Sequence, residues 1–236
     1  MNTKKFIFNG RPDGIGNRIE ELINIQEYCI ANNLVCFYIW NNKLQLRSYI
    51  PLITFDNITI IQNKNQLNNI VVKNNKIFKR TKGNIVKYAF NFDVDIKEEY
   101  DLIVHIRATD RLINNGNKDF SSVDELKYFI ENSIKYINNN CNIKTYTIVS
   151  DDDYYKKYMI NNVTKKYINL SYDNNIPKDW VDYYYLTKCK QSILMCCKFS
   201  SYSITAAILS DKKLLVFPES LNSNLPRYKA NIEIIN

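Results

Sequence analysis

One histidine stands among 236 residues, and glycine is nearly as scarce, with five. A lone histidine excludes a metal site built on several imidazoles. The six cysteines, Cys29, Cys36, Cys141, Cys189, Cys196 and Cys197, form no CxxC pair and lie far from His105 in sequence, so no zinc-ligand spacing is present. No run of about 18 apolar residues occurs, which excludes a helical membrane span. The basic start, Met1 to Lys5, is followed by too few apolar residues for a secretory signal. These absences point to a soluble chain in a reducing, cytoplasmic compartment, with its cysteines acting as small buried hydrophobes.

What is present is a core. Hydrophobic residues make up 45% of the chain, enough to build one large domain or two small ones. The formal charge is +8, but lysine and arginine are scattered among asparagines rather than gathered on one arm or helix. That distribution suits a compact anion better than a long polyanion. Asparagine tracts such as Asn63 to Asn69 follow from a compositional bias that runs through the whole chain, and they carry no functional weight.

The periodicity predicts a strand at Lys5 to Asn9, a glycine-containing loop at Gly10 to Gly16, a helix over about Arg18 to Ala31 and a strand at Leu34 to Trp40. Positions 19, 22, 23, 26, 29 and 30 share one helical face, and Asn17 with Glu20 has the spacing of a capping box. Residues 43 to 97 give weaker signals, with strand-like pieces at Ile58 to Ile61 and Ile70 to Val72. From Tyr100 on, strands at about 101–106, 144–149, 166–170, 191–196 and 213–217 alternate with helical patterns. One helix, over 123–138, has Ser122 and Glu125 as a second capping box, and another starts at Asp179. The alternation argues for a parallel sheet covered on both faces. The expectation is two Rossmann-like domains, 1–97 and 98–236, facing a cleft.

Polar residues collect at predicted strand ends. His105 and Arg107 close one strand, Ser150 to Asp153 the next, Ser200 and Ser201 follow the fourth, and Glu219 follows the fifth. Ligands bind open parallel sheets at that carboxyl edge. Three of the five glycines, Gly10, Gly14 and Gly16, lie within seven residues, so a positive φ or a close backbone approach is expected there. The string GIGNRI lacks the third glycine of a dinucleotide fingerprint, and Trp40, Asn41 and Asn42 supply no acid for a ribose hydroxyl.

Three stretches together resemble the fucosyltransferase superfamily of α1,2-, α1,6- and protein O-fucosyltransferases. GRPDGIGNRIEELI resembles its N-terminal Gly-Asn loop, VHIRATDRL its HxRxxD motif, and DYYYLTKCKQSILMCCKFSSYSITAAIL its C-terminal block. The resemblance implies a GT-B α/β fold and inverting, metal-independent transfer of a sugar, usually L-fucose, from GDP to a glycan hydroxyl. No cofactor beyond the donor substrate is implied. Carried over by position, Arg107 grips the diphosphate, His105 lines the nucleotide pocket, Asp182 reads guanine, and Ser200 and Ser201 contact phosphate. Gly14, Gly16, Asn17 and Arg18 form the loop toward donor and acceptor.

The chain departs from the α1,6 pattern in two places. Ala108 stands where a second arginine is usual, and Asn115 stands where an acid serves as base. Asp110 and Asp13 are the alternative bases. Two other readings stay open: a nucleic-acid-binding module, suggested by the positive charge and 18 tyrosines, and a transferase fold that binds a nucleotide sugar or glycan without turnover.

Overall fold

A computed structural model of the chain describes residues 4–40, 50–62, 86–108, 121–220 and 229–235. The chain divides into two compact units: residues 1–93 with Pro177–Trp180, and residues 94–176 with 181–236.

In the first unit the elements are β1 (Lys4–Asn9), α1 (Ile15–Asn32), β2 (Leu34–Ile39), β3 (Ile53–Phe55), β4 (Ile58–Ile61) and β5 (Tyr88–Phe90). Strands β1, β2 and β4 pair in parallel, while β3, unassigned in the sequence pattern along with β5, runs antiparallel to both β4 and β5. The strand-like piece at Ile70 to Val72 lies outside the described residues. On the apolar stripe of α1, Ile19, Leu22, Ile23 and Cys29 are fully buried, as the period-3.6 pattern requires, while Ile30, assigned to the same face by the pattern, is 46% exposed near the end of the helix. Gln26 on the same stripe is buried because it works as a bracket. Its amide donates to the carbonyls of Asp56 (3.1 Å) and Lys87 (2.6 Å) and accepts from the Lys87 N–H (2.9 Å), fixing the antiparallel strands to the helix. Trp180 stacks on Trp40, with ring centroids 6.1 Å apart, and donates its indole N–H to the carbonyl of Ile50.

The second unit contains β6 (Leu102–Ile106), α2 (Val123–Asn139), β7 (Thr145–Ser150), α3 (Asp153–Asn162), β8 (Lys166–Tyr167), most of α4 (Lys178–Lys188), β9 (Ser192–Cys196), α5 (Ser201–Ser210), β10 (Lys213–Val216) and β11 (Ile232–Ile234). Its six strands are all parallel, in the order β11-β10-β9-β6-β7-β8. Counted from β6 as the first strand, this is the Rossmann order 3-2-1-4-5-6 read from the far edge. Leu102, Val104 and Ile106 of β6 join Leu194 and Cys196 of β9 in a cluster with Leu126, Phe129 and Ile130 of α2 and Met159 of α3. Alternation then turns Ile103 and His105 to the opposite face, where α5 packs on β9 and β10. Helices therefore cover both faces, as the all-buried pattern of β6 and β9 demands.

The capping box at Ser122 forms as the sequence spacing predicts: Glu125 N–H donates to the Ser122 hydroxyl and Ser122 N–H to the Glu125 carboxylate. The one at Asn17 does not form. Helix α1 begins earlier, at Ile15 after Gly14, and Asn17 lies in its first turn, donating its amide to Asp13 at 2.8 Å. The N-cap is Gly14, which has no side chain to cap with, and the Asp13 carboxylate accepts the Gly14 N–H and the Asn17 side-chain amide rather than an amide of the first helical turn. Five of the six cysteines are buried and none is paired; burial pushes the Cys29 and Cys189 thiols up to about 12.

Asp101 fixes the amino end of β6 to both neighbours. Its carboxylate accepts the N–H groups of Lys144 (2.9 Å) and Thr145 (3.0 Å) and the Thr145 hydroxyl, while its carbonyl accepts from Gln191 (3.0 Å) and Ser192 (3.3 Å). Burial alone would raise its pKa, but these donors hold it below the usual carboxylate value. A depressed folded pKa gives stability that is present above the unfolded value and is lost as pH falls through the folded one. Asp101→Asn is expected to cost about 1–2 kcal/mol at pH 7, with the gap to wild type narrowing below about pH 4. Urea melts at pH 7 and pH 3 check this, and equal stability at pH 7 would refute the role.

Candidate functional site

In a 3-2-1-4-5-6 sheet the order reverses between the first and fourth strands, and the crevice opens beyond their carboxyl ends. Here those strands are β6 and β9, paired from Leu102↔Ser192 to Ile106↔Cys196. His105 sits one residue before the end of β6, buried at 6% exposure on the α5 face. Arg107 is the first residue past the paired strand and is half-buried. The following N–H, of Ala108, donates to the Asp151 carboxylate at 2.7 Å. Asp151 follows β7, so an acid from the neighbouring strand end holds the backbone that carries Arg107. Of the acids in the SDDD stretch, Asp152 caps α3 by accepting the Tyr155 N–H.

Across the switch point, the chain leaves β9 and enters α5 within a few residues. Two serines from distant segments pin that connection: Ser220 donates its hydroxyl to the Cys197 carbonyl, and the Ser121 hydroxyl accepts the Lys198 N–H. Ser220, rather than the exposed Glu219 beside it, is the residue after β10 that reaches the site. Ser200 caps α5 in extended geometry, but its side chain makes no capping bond. Among the described residues its hydroxyl, fully buried beside the N-terminal amides of a ten-residue helix, has no hydrogen-bond partner. Leaving such a hydroxyl unpaired costs about 1–3 kcal/mol, and the helix N-terminus next to it favours negative charge.

The first turn of α5 also holds His105. Ser203 Oγ lies 2.5 Å from Nδ1 of His105, and the Tyr202 ring lies 5.3 Å from the imidazole. Tyr202 packs in turn against Tyr183 of α4 at 4.9 Å, and the Tyr183 hydroxyl donates to Thr205 of α5. Asp182, next to Tyr183 in sequence, is buried and accepts the Tyr172 hydroxyl at 2.7 Å. Burial, reinforced by that carboxylate, raises the Tyr172 pKa, so the phenol stays a donor. The structure thus gathers His105, Ser200 and Ser201 with Arg107 at one edge of the second unit, and brings Asp182 to the adjoining α4. Tyr172 and Ser203 were not recognisable in the sequence, because their relevance is a contact with residues 10 and 98 positions away; Asp151 was legible as part of the acidic strand end at 150–153, but its bond to the Ala108 N–H was not.

In the first unit, the glycine loop is ordered by its own charges. Asp13 accepts from the Gly14 N–H (3.0 Å) and from Asn17, and pairs with Arg11 Nε at 3.3 Å. Arg18 is only 1% exposed; its Nε donates to the Asp13 carbonyl and its guanidinium stacks 4.4 Å over Trp40. Burial lowers the Arg18 pKa from its ordinary value, against the pull of Tyr38, Asp13 and Glu21. The expected positive φ does not occur at Gly14, where φ is −63°. A side chain at Gly10 would instead meet the Tyr38 ring at 2.3 Å, so close packing is what requires glycine there, while Gly14 faces open space. Gly16 is buried inside α1. Asp110 and Asn115 lie outside the described residues.

Among the described residues, no three or more His, Cys, Asp or Glu side chains gather into a group able to hold a metal ion, and no helix is long and apolar enough to cross a membrane. The chain has an α/β fold of the GT-B class, built on parallel-strand sheets. Two solved structures share it: the NodZ α-1,6-fucosyltransferase soaked with GDP-fucose and the same enzyme co-crystallised with GDP. The first matches with TM-score 0.53 and 10% identity over 88% of this chain and 93% of that one. The second matches with TM-score 0.55 and 9% identity, over 87% and 92%. No protein-family model and no curated protein matches the sequence.

The orphaned hydroxyl gives a direct test. Ser200→Ala removes a buried group that has no partner, so the unliganded protein is expected to unfold within about 0.5 kcal/mol of wild type, or later. Denaturant unfolding measures this, and a loss above about 2 kcal/mol would mean that the hydroxyl has a structural role.

Proposed function

We propose that the chain is a glycosyltransferase that moves a sugar, L-fucose in the leading reading, from a GDP-linked donor to a glycan hydroxyl with inversion and without a metal. The observation that carries this reading is the pairing at one switch point of an arginine, Arg107, with a helix N-terminus whose capping hydroxyl, Ser200, is buried and unmatched. The fold likeness to a fucosyltransferase whose solved structures name GDP-fucose and GDP supports it. In this reading residues 98–236 bind the nucleotide sugar and residues 1–97 present the acceptor side.

The chemistry follows from charge. Departure of GDP builds negative charge on the β-phosphate, and a site that supplies no metal must meet it with fixed donors. Arg107 offers a planar fork that matches two phosphate oxygens. The α5 amides add the positive end of a helix dipole, and Ser200 and Ser201 add hydroxyls. His105 lines the nucleotide pocket, and Asp182 accepts from the guanine edge while Tyr172 steadies one carboxylate oxygen. Gly14, Gly16, Asn17 and Arg18 line the loop toward donor and acceptor. Asp110 and Asp13 are the two candidates for the base that takes the acceptor proton.

A second reading has its own observation. Both Asp13 oxygens are committed, one to Gly14 N–H and the other to Asn17 and Arg11, and Asn115 replaces an acid. That favours a protein that binds a nucleotide sugar or glycan without turning it over.

GDP is expected to raise the melting temperature by several degrees at about 100-fold over its Kd, equally with or without a chelator. Indifference to GDP combined with steep salt-dependent binding of nucleic acid would overturn the reading. With GDP-fucose and a glycan panel, product formation separates the transferase from the non-catalytic binder. In that assay Arg107→Ala is expected to lose about 100-fold or more in rate, and full activity in the variant would refute its assigned role.

A further inference from the structure

One carboxylate of the first unit is held on one side and open on the other. Glu21, in the second turn of α1, reaches back to the carboxyl edge of the parallel strands, where open sheets take their ligands. Its Oε2 accepts the Arg11 N–H of the loop after β1 at 3.0 Å and the Tyr38 hydroxyl of β2 at 2.7 Å. The side chain is half-buried, and Oε1 has no hydrogen-bond partner among the described residues and is not enclosed. Asp13 offers nothing comparable, since Gly14, Asn17 and Arg11 take both of its oxygens.

A cation with unspent donors stands one turn earlier on the same helix. Arg18 uses Nε on the Asp13 carbonyl, while its Nη1 is unmatched among the described residues. Arg18 feels the charge of Glu21, yet the two form no ion pair. A guanidinium with hydrogens to give and a carboxylate oxygen with lone pairs to fill are matched together by a group that both accepts and donates. A hydroxyl is such a group, whereas an ionised phosphate or carboxylate only accepts. Charge agrees. Around this spot Arg11 and Arg18 stand among three carboxylates, Asp13, Glu20 and Glu21, so an added anion is opposed and a neutral polyol is not.

We propose that Glu21 is a catalytic residue: its Oε1 receives the proton of the acceptor hydroxyl, while the Arg18 guanidinium donates to the same hydroxyl oxygen. This rests on the transferase reading above and puts Glu21 in place of Asp13 and Asp110 as the base. As the acceptor oxygen bonds to the anomeric carbon of the sugar, the bond from that carbon to the β-phosphate oxygen breaks. Its electron pair leaves with GDP, and the hydroxyl proton passes to Oε1. Tyr38 is a positioning residue, because its hydroxyl holds Oε2 and so fixes the carboxylate that presents Oε1. Burial raises the Glu21 pKa and the Glu20 charge adds to it, against the Arg11 N–H, the Tyr38 hydroxyl and the Arg11 charge. The net rise brings the carboxylate nearer to the range that suits a base at neutral pH.

The experiment is a pH–rate profile with GDP-fucose and an acceptor from the glycan panel. Glu21→Gln keeps the size of the side chain and an oxygen for Arg11 and Tyr38. It is expected to lose about 100-fold or more in kcat, while GDP still raises its melting temperature as in wild type. Full rate in this variant, or a raised KM with kcat unchanged, overturns the assignment. Wild-type kcat/KM is expected to fall on the acid side as Glu21 takes up a proton. Tyr38→Phe removes a donor that holds the Glu21 pKa down, so this limb moves to higher pH. A limb that stays in place overturns the assignment, and this variant decides the matter where Glu21→Gln does not fold. The two readings fail differently: no product from wild type sinks the transferase reading and the base with it, whereas product from wild type alongside full rate from Glu21→Gln sinks the base alone.

Discussion

The parallel pairing of β6 between β7 and β9 is the constraint from which the site follows. Register on both sides is set by backbone ladders and by Asp101, which bonds to the chain before β7 and to the start of β9 at once. Two short strand ends then finish at the same level. His105 and Arg107 arrive on one, and the connection into α5 leaves from the other. A slip of one residue in β6 would turn His105 into the cluster beneath α2 and break its contact with Ser203.

The site also departs from the rule that buried polar groups are satisfied. Most of the second unit obeys it: Tyr100 bonds to the Tyr185 carbonyl, Thr147 to the Ile168 carbonyl, and Ser133 to the Phe129 carbonyl. Ser200, at the mouth of α5, does not. The Tyr146 hydroxyl is also buried and unmatched among the described residues, but the Ser200 hydroxyl stands at a helix N-terminus, where an anion would be favoured. In the first unit the Arg18 guanidinium is likewise buried with one nitrogen unpartnered, while its Nε secures the glycine loop through the Asp13 carbonyl.

Much of this architecture was readable before any coordinates. Hydrophobic period and turn residues place α1, α2, β1, β2, β4, β6, β7 and β9 nearly where they are, and Ser122 with Glu125 forms its capping box because both halves of that motif are local. The Asn17 prediction fails for a reason just as local: the helix starts two residues earlier, at Ile15, so Asn17 stands inside the first turn with its amide on Asp13 rather than at the cap. Strands β3 and β5 escaped notice because each is three residues long and is held by Gln26, a polar residue on an otherwise apolar helix stripe. No periodicity reports such a bracket.

The sequence by itself determined which residues carry chemistry at strand ends and that the strands and helices alternate, since both follow from side-chain period and local turn preference. Tertiary structure alone decided the strand order 3-2-1-4-5-6, and with it that β6 and β9 are neighbours although 86 positions separate Ile106 from Ser192. It also decided that Ser203 meets His105, that Tyr172 meets Asp182 and that Asp151 holds the Ala108 N–H. Pairing across such distances is set by burial of both faces of β6 and β9, a property of the assembled sheet that no window of the chain contains.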